Sequence, residues 1–162
     1  LYVQSGAILS NIKKLAFNNG RLFPLSLSSE GSCQIGGNLA TNAGGLNVIK
    51  YGNIRDLCLG LEAVLPCGQI VSTMKPLKKN NMGFDLKNLL IGSEGTLGII
   101  TSTILKTFPI PKDPVSIFLS INNLADVLFV FEKVSREFSE RILAFQSVET
   151  WDAKFEKLKI HE

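Results

Sequence analysis

Six glycines fall within the twenty-two residues from Gly31 to Gly52, GSCQIGGNLATNAGGLNVIKYG, and the residues between them are mostly small, amidic or hydroxylic. A backbone stripped of side chains in this way admits close approach by another backbone or a ligand. Glycine is also a poor interior residue for helices and strands, so the stretch reads as an ordered loop. A second cluster, Gly92-Ser93-Glu94-Gly95-Thr96-Leu97-Gly98, runs into Ile99 to Lys106, whose β-branched residues predict a strand.

Two familiar nucleotide motifs are absent. Neither cluster has the G-x-G-x-x-G spacing of a dinucleotide fingerprint, and no G-x-x-x-x-G-K-[ST] run exists. What remains distinctive is Gly36-Gly37-Asn38-Leu39-Ala40-Thr41-Asn42-Ala43-Gly44-Gly45, in which two glycine pairs allow inward N–H groups while Asn38, Thr41 and Asn42 offer short polar side chains. Successive inward N–H groups form a concavity suited to a pyrophosphate. A pair of tight turns capped by Asn and Thr accounts for the same residues, and both readings stay open at this level.

The rest of the chain reads as mixed α and β. Residues 1–5 predict a strand, and Ile8, Ile12, Leu15 and Ala16 recur at helical spacing before Gly20 ends that helix. Alternation over Leu57 to Leu65, the turn Leu65-Pro66-Cys67-Gly68 and the return Gln69 to Thr73 predict an antiparallel hairpin. Residues 75–83 read as a surface connection, and 85–91 as a short helix on Leu86, Leu89 and Leu90. Pro109, Pro111 and Pro114 interrupt regular structure and mark a domain boundary between residues 110 and 111. Beyond it, 115–121 and 141–149 alternate like strands around a helix striped by Leu124, Val127, Leu128, Phe131, Val134 and Phe138, started by Asn122 or Asn123. A further helix begins at Trp151 to Leu158.

Seventeen basic against fourteen acidic residues give a net charge of +3 without a basic block, which argues against a nucleic-acid partner. No apolar run reaches the ~20 residues of a membrane span. Cys33, Cys58 and Cys67 lack metal or redox spacing and read as reduced, mostly buried thiols of a cytosolic protein. The sole histidine, His161, is isolated and is assigned no role.

The run Phe23 to Gly45 with Pro24, Ser32, Ile35, Gly36-Gly37-Asn38 and Ala40 to Gly45, then Tyr51-Gly52, the hairpin from Gly60-Leu61-Glu62 to Gly68, and Gly92 to Thr101, resembles the FAD-linked oxidase family of the vanillyl-alcohol-oxidase, or PCMH-type, flavoprotein fold. Within it, Lys79 to Lys87 and Ile142-Leu143-Ala144-Phe145 look most like the D-2-hydroxyglutarate dehydrogenase branch, beside D-lactate dehydrogenases and glycolate oxidase subunits. The resemblance implies an α+β fold: residues 1–110 as the second subdomain of the FAD-binding domain, an antiparallel sheet with flanking helices, and 111–162 as the start of a ferredoxin-like α+β cap for the substrate. It places Pro24 and Leu25 near the flavin, Ser32, Ile35, Gly36, Gly37 and Asn38 along the flavin and ribityl chain, Thr41, Asn42, Gly44 and Gly45 near the pyrophosphate, and Glu94, Gly98 and Ile99 on the other loop.

The implied reaction moves a hydride from the carbon bearing a 2-hydroxyl group to flavin N5, giving a 2-oxo acid, with reduced FAD passing electrons to an acceptor. Such chemistry needs cations for the substrate carboxylate and a base for the hydroxyl proton, and this chain offers no convincing set of either, so no catalytic or metal residue is assigned. Lys50, before Tyr51-Gly52, is either an electrostatic contributor or a surface cation. The resemblance implies that a first subdomain precedes Leu1 and that the cap, with a histidine-containing metal-associated motif, continues past Glu162. Hence two expectations: a section of an FAD-dependent D-2-hydroxy acid dehydrogenase that pairs with a complementing subdomain or with itself, or a catalytically silent remnant acting as an association or weak nucleotide-binding module. Relatives of UDP-N-acetylenolpyruvoylglucosamine reductase share the flavin fold, but their glycine motifs differ from Asn42-Ala43-Gly44-Gly45.

Overall fold

In the computed structural model, which describes residues 1–75, 83–121, 123–138 and 141–147, the chain opens with β1 (Tyr2–Gln4) and α1 (Leu9–Asn18). Leu9, Ile12 and Ala16 carry the buried stripe of α1, while Leu15 is exposed, so the inward face is turned from the one its apolar spacing predicts. No side chain caps this helix. Instead the Leu9 and Ser10 N–H groups donate to the Cys33 and Glu30 carbonyls, tying α1 to the turn that precedes the first glycine pair. Gly20, at φ +66°, ends the helix as predicted and leads to β2 (Arg21–Leu22).

The predicted loop at Gly36-Gly37 is a helix, α2 (Ile35–Ala40). Two interior glycines cost about 0.5–1 kcal/mol each. Ile35 and Leu39, one turn apart and fully buried, each contribute roughly 1.5–3 kcal/mol, and burial wins. Two single turns follow, α3 (Val48–Tyr51) and α4 (Ile54–Leu57). In α4 the Asn53 side chain accepts from the Arg55 N–H and the Asp56 carboxylate accepts from the Asn53 N–H.

The hairpin forms as expected, β3 (Cys58–Val64) pairing antiparallel with β4 (Ile70–Ser72), and Gly68 takes φ +82° in the turn. A short α5 (Leu86–Leu90) precedes the second glycine cluster, and β5 (Ile99–Leu105) follows it. The sheet order is β1-β5-β3-β4. The β3–β5 ladder slips twice, between Cys58 and Gly60 and between Glu62 and Ala63. The first slip leaves Leu59 without an opposing residue, so Cys58, Gly60, Leu61 and Ala63 are buried and Leu59 is not. The period-two reading is right about the strand and about its phase at Leu57, Leu61 and Ala63, and wrong at Leu59, where the slip buries Cys58 and Gly60 instead. With α2 against β5 and α4 against β3, the core is closed by Phe23, Leu25, Ile54, Leu57, Ile91 and Leu105.

Pro109 is not purely a breaker, because Phe108–Pro109 forms β6 and pairs with Arg21 and Leu22. Such a two-residue ribbon tolerates a proline that lacks an N–H. The expected strand over 115–121 is absent: Val115, Ile117, Phe118 and Leu119 are exposed, and alternation makes a strand only where a neighbour accepts its backbone hydrogen bonds. The described part of the second expected strand, 141–147, is likewise not extended into a sheet. The helix between them is present as α6 (Leu124–Phe138), with the Asp126 N–H donating to Asn123 Oδ1 at 3.0 Å. Asn122, most of the 75–83 connection, residues 148–149, the Trp151 helix and His161 lie outside the described residues.

Of the three thiols only Cys58 is buried; Cys33 is half-buried and Cys67 exposed, which corrects the expectation of mostly buried cysteines. Burial pushes the Cys58 thiol above its ordinary range, against the Thr103 hydroxyl 3.3 Å away.

Two outcomes follow. Leu61→Ala lowers unfolding free energy by roughly 2–5 kcal/mol in urea titration, whereas Leu59→Ala costs under about 1 kcal/mol; equal losses would contradict the slipped register. In a thiol-labelling time course at pH 8, Cys67 reacts first and Cys58 only as the chain unfolds, since the raised pKa keeps its nucleophilic thiolate scarce.

Candidate functional site

Three backbone segments converge around α2. Its first two N–H groups are already used: Ile35 donates to the Ala7 carbonyl at 2.9 Å and Gly36 to the Ser5 carbonyl at 2.8 Å. A Cβ on Gly36 would lie 2.6 Å from Ser5 Cβ, so this glycine serves the close contact with the chain leaving β1. At the other end, the Leu39 and Ala40 carbonyls accept from the Gly92 and Glu94 N–H groups at 3.0 and 2.8 Å. The second glycine cluster therefore caps the helix made by the first.

The third segment is Pro24 to Ser26. Asn47 Nδ2 donates to the Pro24 carbonyl at 2.9 Å, and the Leu46 N–H donates to the Ser26 carbonyl at 3.3 Å. A Cβ on Gly45 would sit 2.0 Å from that Ser26 oxygen. Only glycine fits there.

The short polar side chains are largely spent on the protein itself. Thr41 Oγ1 donates to the Gly37 carbonyl at 3.0 Å, Asn38 Nδ2 points to Cys33 Sγ at 3.6 Å, and Asn42 Oδ1 accepts from the Arg55 N–H. They shape the loop, where the sequence reading cast them as donors to a ligand. The side chains of Leu25 and Ile35 are in the core, leaving only their backbone to a bound group. Ser32 lies in the turn that caps α1, its hydroxyl donating to the Ser29 carbonyl at 3.3 Å. Gly98 is buried against the Val64 carbonyl, while Ile99 is exposed at the start of β5.

What stays open is an edge formed by Gly37 and Thr41, one helical turn apart and both exposed, continued by Gly44, Glu94 and Gly95. Nothing lies within 4 Å of where a Gly37 Cβ would stand, and its φ is not positive. The fold gives no reason for glycine at this position. The Gly37, Gly44 and Gly95 N–H groups have no hydrogen-bond partner among the described residues. Glu94, at φ +52°, and Asn42, at φ +49°, hold the left-handed turns that present this edge. It thus offers unpaired backbone donors and no cationic side chain, which suits a cofactor held along its length by main-chain contacts.

Lys50 projects toward the Tyr51 ring, 5.8 Å from its centroid, and Tyr51 packs on Phe108 with centroids 4.7 Å apart. Burial pushes the Tyr51 phenol upward. Arg55, which sequence reasoning missed, donates through its guanidinium to the Asn88 and Ile91 carbonyls. No motif flagged it; an arginine between Ile54 and Asp56 looks like a surface residue. A cleft of about 320 Å³ between α1 and β2, lined by Lys14, Phe17, Arg21 and Phe23, holds none of the expected site residues. Among the described residues no group of three or more His, Cys, Asp or Glu side chains gathers, and no helix is long and apolar enough to cross a membrane.

Comparison with known proteins agrees with this geometry. Residues 1–74 match the sequence profile of an FAD binding domain. The chain is 40% identical over 160 residues to the mitochondrial D-2-hydroxyglutarate dehydrogenase of Bos taurus, covering 99% of this chain and 29% of that protein. It is 40% identical to the D-2-hydroxyglutarate–pyruvate transhydrogenase of Saccharomyces cerevisiae over 88% of this chain and 29% of the other. The solved structure of an alkyldihydroxyacetonephosphate synthase superposes with a TM-score of 0.60 and 30% identity, over 69% of this chain and 20% of that one. The chain thus spans about three tenths of the length of these curated relatives. Residues 1–74 thus carry an FAD binding domain, and the chain as a whole is similar to the FAD-linked oxidases in sequence and fold.

Proposed function

We propose that this chain holds FAD as part of a flavin-dependent dehydrogenase that converts a D-2-hydroxy acid, with D-2-hydroxyglutarate, D-lactate and glycolate as the candidate substrates, to the 2-oxo acid. The observation that carries the reading is Gly37, an exposed glycine that neither backbone conformation nor neighbouring atoms require. Its place on the open edge beside Thr41 and Glu94 leaves a ligand's approach as its reason.

The residues divide the work by position. Pro24 and Leu25 present backbone to the flavin end, and Ser32, Ile35 to Asn38 follow the ribityl chain. Thr41, Asn42, Gly44 and Gly45 take the pyrophosphate. Glu94, Gly98 and Ile99 close the other side through main chain. When bound, FAD supplies the two-electron acceptor that alcohol oxidation needs.

Residues 1–110 form the cofactor part and 111–162 the beginning of a substrate cap. With no base and no set of carboxylate-binding cations assigned in this sequence, the reading puts both elsewhere in the enzyme and expects no turnover of a 2-hydroxy acid by this chain alone. The second reading is a catalytically silent remnant that acts as an association or weak nucleotide-binding module. The relatives' names favour a mitochondrial over a cytosolic setting, and three unpaired thiols fit either. Exposed Tyr2, Ile70, Phe84 and Ile99 favour association with a complementing subdomain or a second copy.

The test compares two glycines. Gly37→Ala keeps the urea midpoint or raises it slightly, because alanine favours the helix by about 0.5–1 kcal/mol, yet retains at least tenfold less flavin absorbance (350–500 nm) after FAD loading and desalting. Gly45→Ala loses both flavin and roughly 1–3 kcal/mol of stability. A Gly37→Ala chain that holds FAD as the parent does, or a parent that stays colourless, would sink the assignment.

A further inference from the structure

Arg55 joins the two glycine clusters. Its own N–H donates to Asn42 Oδ1 at 3.3 Å in the first cluster, shared with Asn53 Oδ1 at 3.1 Å. Its guanidinium donates to the Ile91 carbonyl at 2.6 Å and to the Asn88 carbonyl, the last acceptors of α5. The next residue is Gly92, whose N–H begins the clamp onto Leu39. A Cβ on Gly92 would lie 2.9 Å from an Arg55 guanidinium nitrogen and 3.3 Å from Asn42 Cβ, so Arg55 and Asn42 flank the point where the clusters meet.

We infer that Arg55 is a positioning residue for FAD, setting the spacing of the two cofactor loops without touching the cofactor; this rests on the FAD-holding role proposed above. Hydrogen bonds from a charged donor are about twice as strong as neutral ones, and the planar fork fixes two carbonyls at one distance. Those carbonyls are helix-end acceptors that would otherwise go unpaired, and a cation suits that end of the helix dipole. Among the described residues the other hydrogen bonds between the clusters are two main-chain ones, donated by the exposed loop residues Gly92 and Glu94 to α2, and a loop held by so few bonds opens easily when unsupported. Removing the guanidinium therefore loosens the Gly92 to Glu94 loop first and the sheet hardly at all.

The experiment is amide hydrogen exchange and FAD titration on the full chain and on Arg55→Gln and Arg55→Lys. In the Gln variant, Gly92 and Glu94 amides exchange at least tenfold faster while the β3–β5 ladder, at Ala63 and Thr103, keeps its parental rate, and FAD binds at least tenfold more weakly. Lys, a point charge without the fork, recovers less than half of that exchange protection. Arg55→Met, which keeps the apolar stem and removes every side-chain donor, shows the same exchange signature should Gln prevent folding. Unchanged exchange at Gly92 and Glu94, or acceleration spread equally into the sheet, overturns the role. A parent chain that binds no FAD counts against the cofactor reading instead, and the exchange pattern then judges Arg55 alone.

Discussion

Two hydrogen bonds organise this chain: Gly92 N–H to the Leu39 carbonyl and Glu94 N–H to the Ala40 carbonyl. They join segments about fifty residues apart and satisfy the carbonyl end of a six-residue helix too short to persist by itself. With that end closed, Ile35 and Leu39 remain in the core, and the outer edge of α2 is left bare. The open edge is thus a by-product of how a marginal helix is completed.

The same logic explains which residues face outward. N–H groups at the start of α2 are consumed by Ser5 and Ala7, so its amino end is closed by the chain leaving β1. Among the described residues, donors remain at Gly37, Gly44 and Gly95, all of them exposed. The FAD binding profile and the likeness to a D-2-hydroxyglutarate dehydrogenase fit an edge of this kind, which offers shape and main-chain donors.

Much of this was legible in the sequence. The hairpin turning on Gly68, the strand after Gly98 and the end of α1 at Gly20 are local decisions, made by residues whose conformations leave few choices. The helix at Gly36-Gly37 was not legible, because its cause is burial of Ile35 and Leu39 against elements distant in sequence. Nor was the slip at Leu59, which a period-two pattern cannot register, nor the missing strand over 115–121, which needed a partner. In the site, the glycines were found by composition, but the sequence could not tell those that accommodate the protein, Gly36 and Gly45, from the one that does not, Gly37. Arg55 escaped because its importance lies in two carbonyls more than thirty residues away.

The obstruction at Gly45 is a main-chain oxygen, that of Ser26, whereas the one at Gly92 is made by the side chains of Arg55 and Asn42. A carbonyl cannot be mutated away. Every descendant of this sequence that keeps the loop must keep glycine at 45, whatever changes around it. At 92 the sequence has an exit: a smaller residue at 55 makes steric room for a side chain, provided a residue that tolerates φ +81° enters. The two positions, each a glycine in a glycine-rich cluster, are therefore unequal in evolvability, 45 closed to drift and 92 open to compensated change.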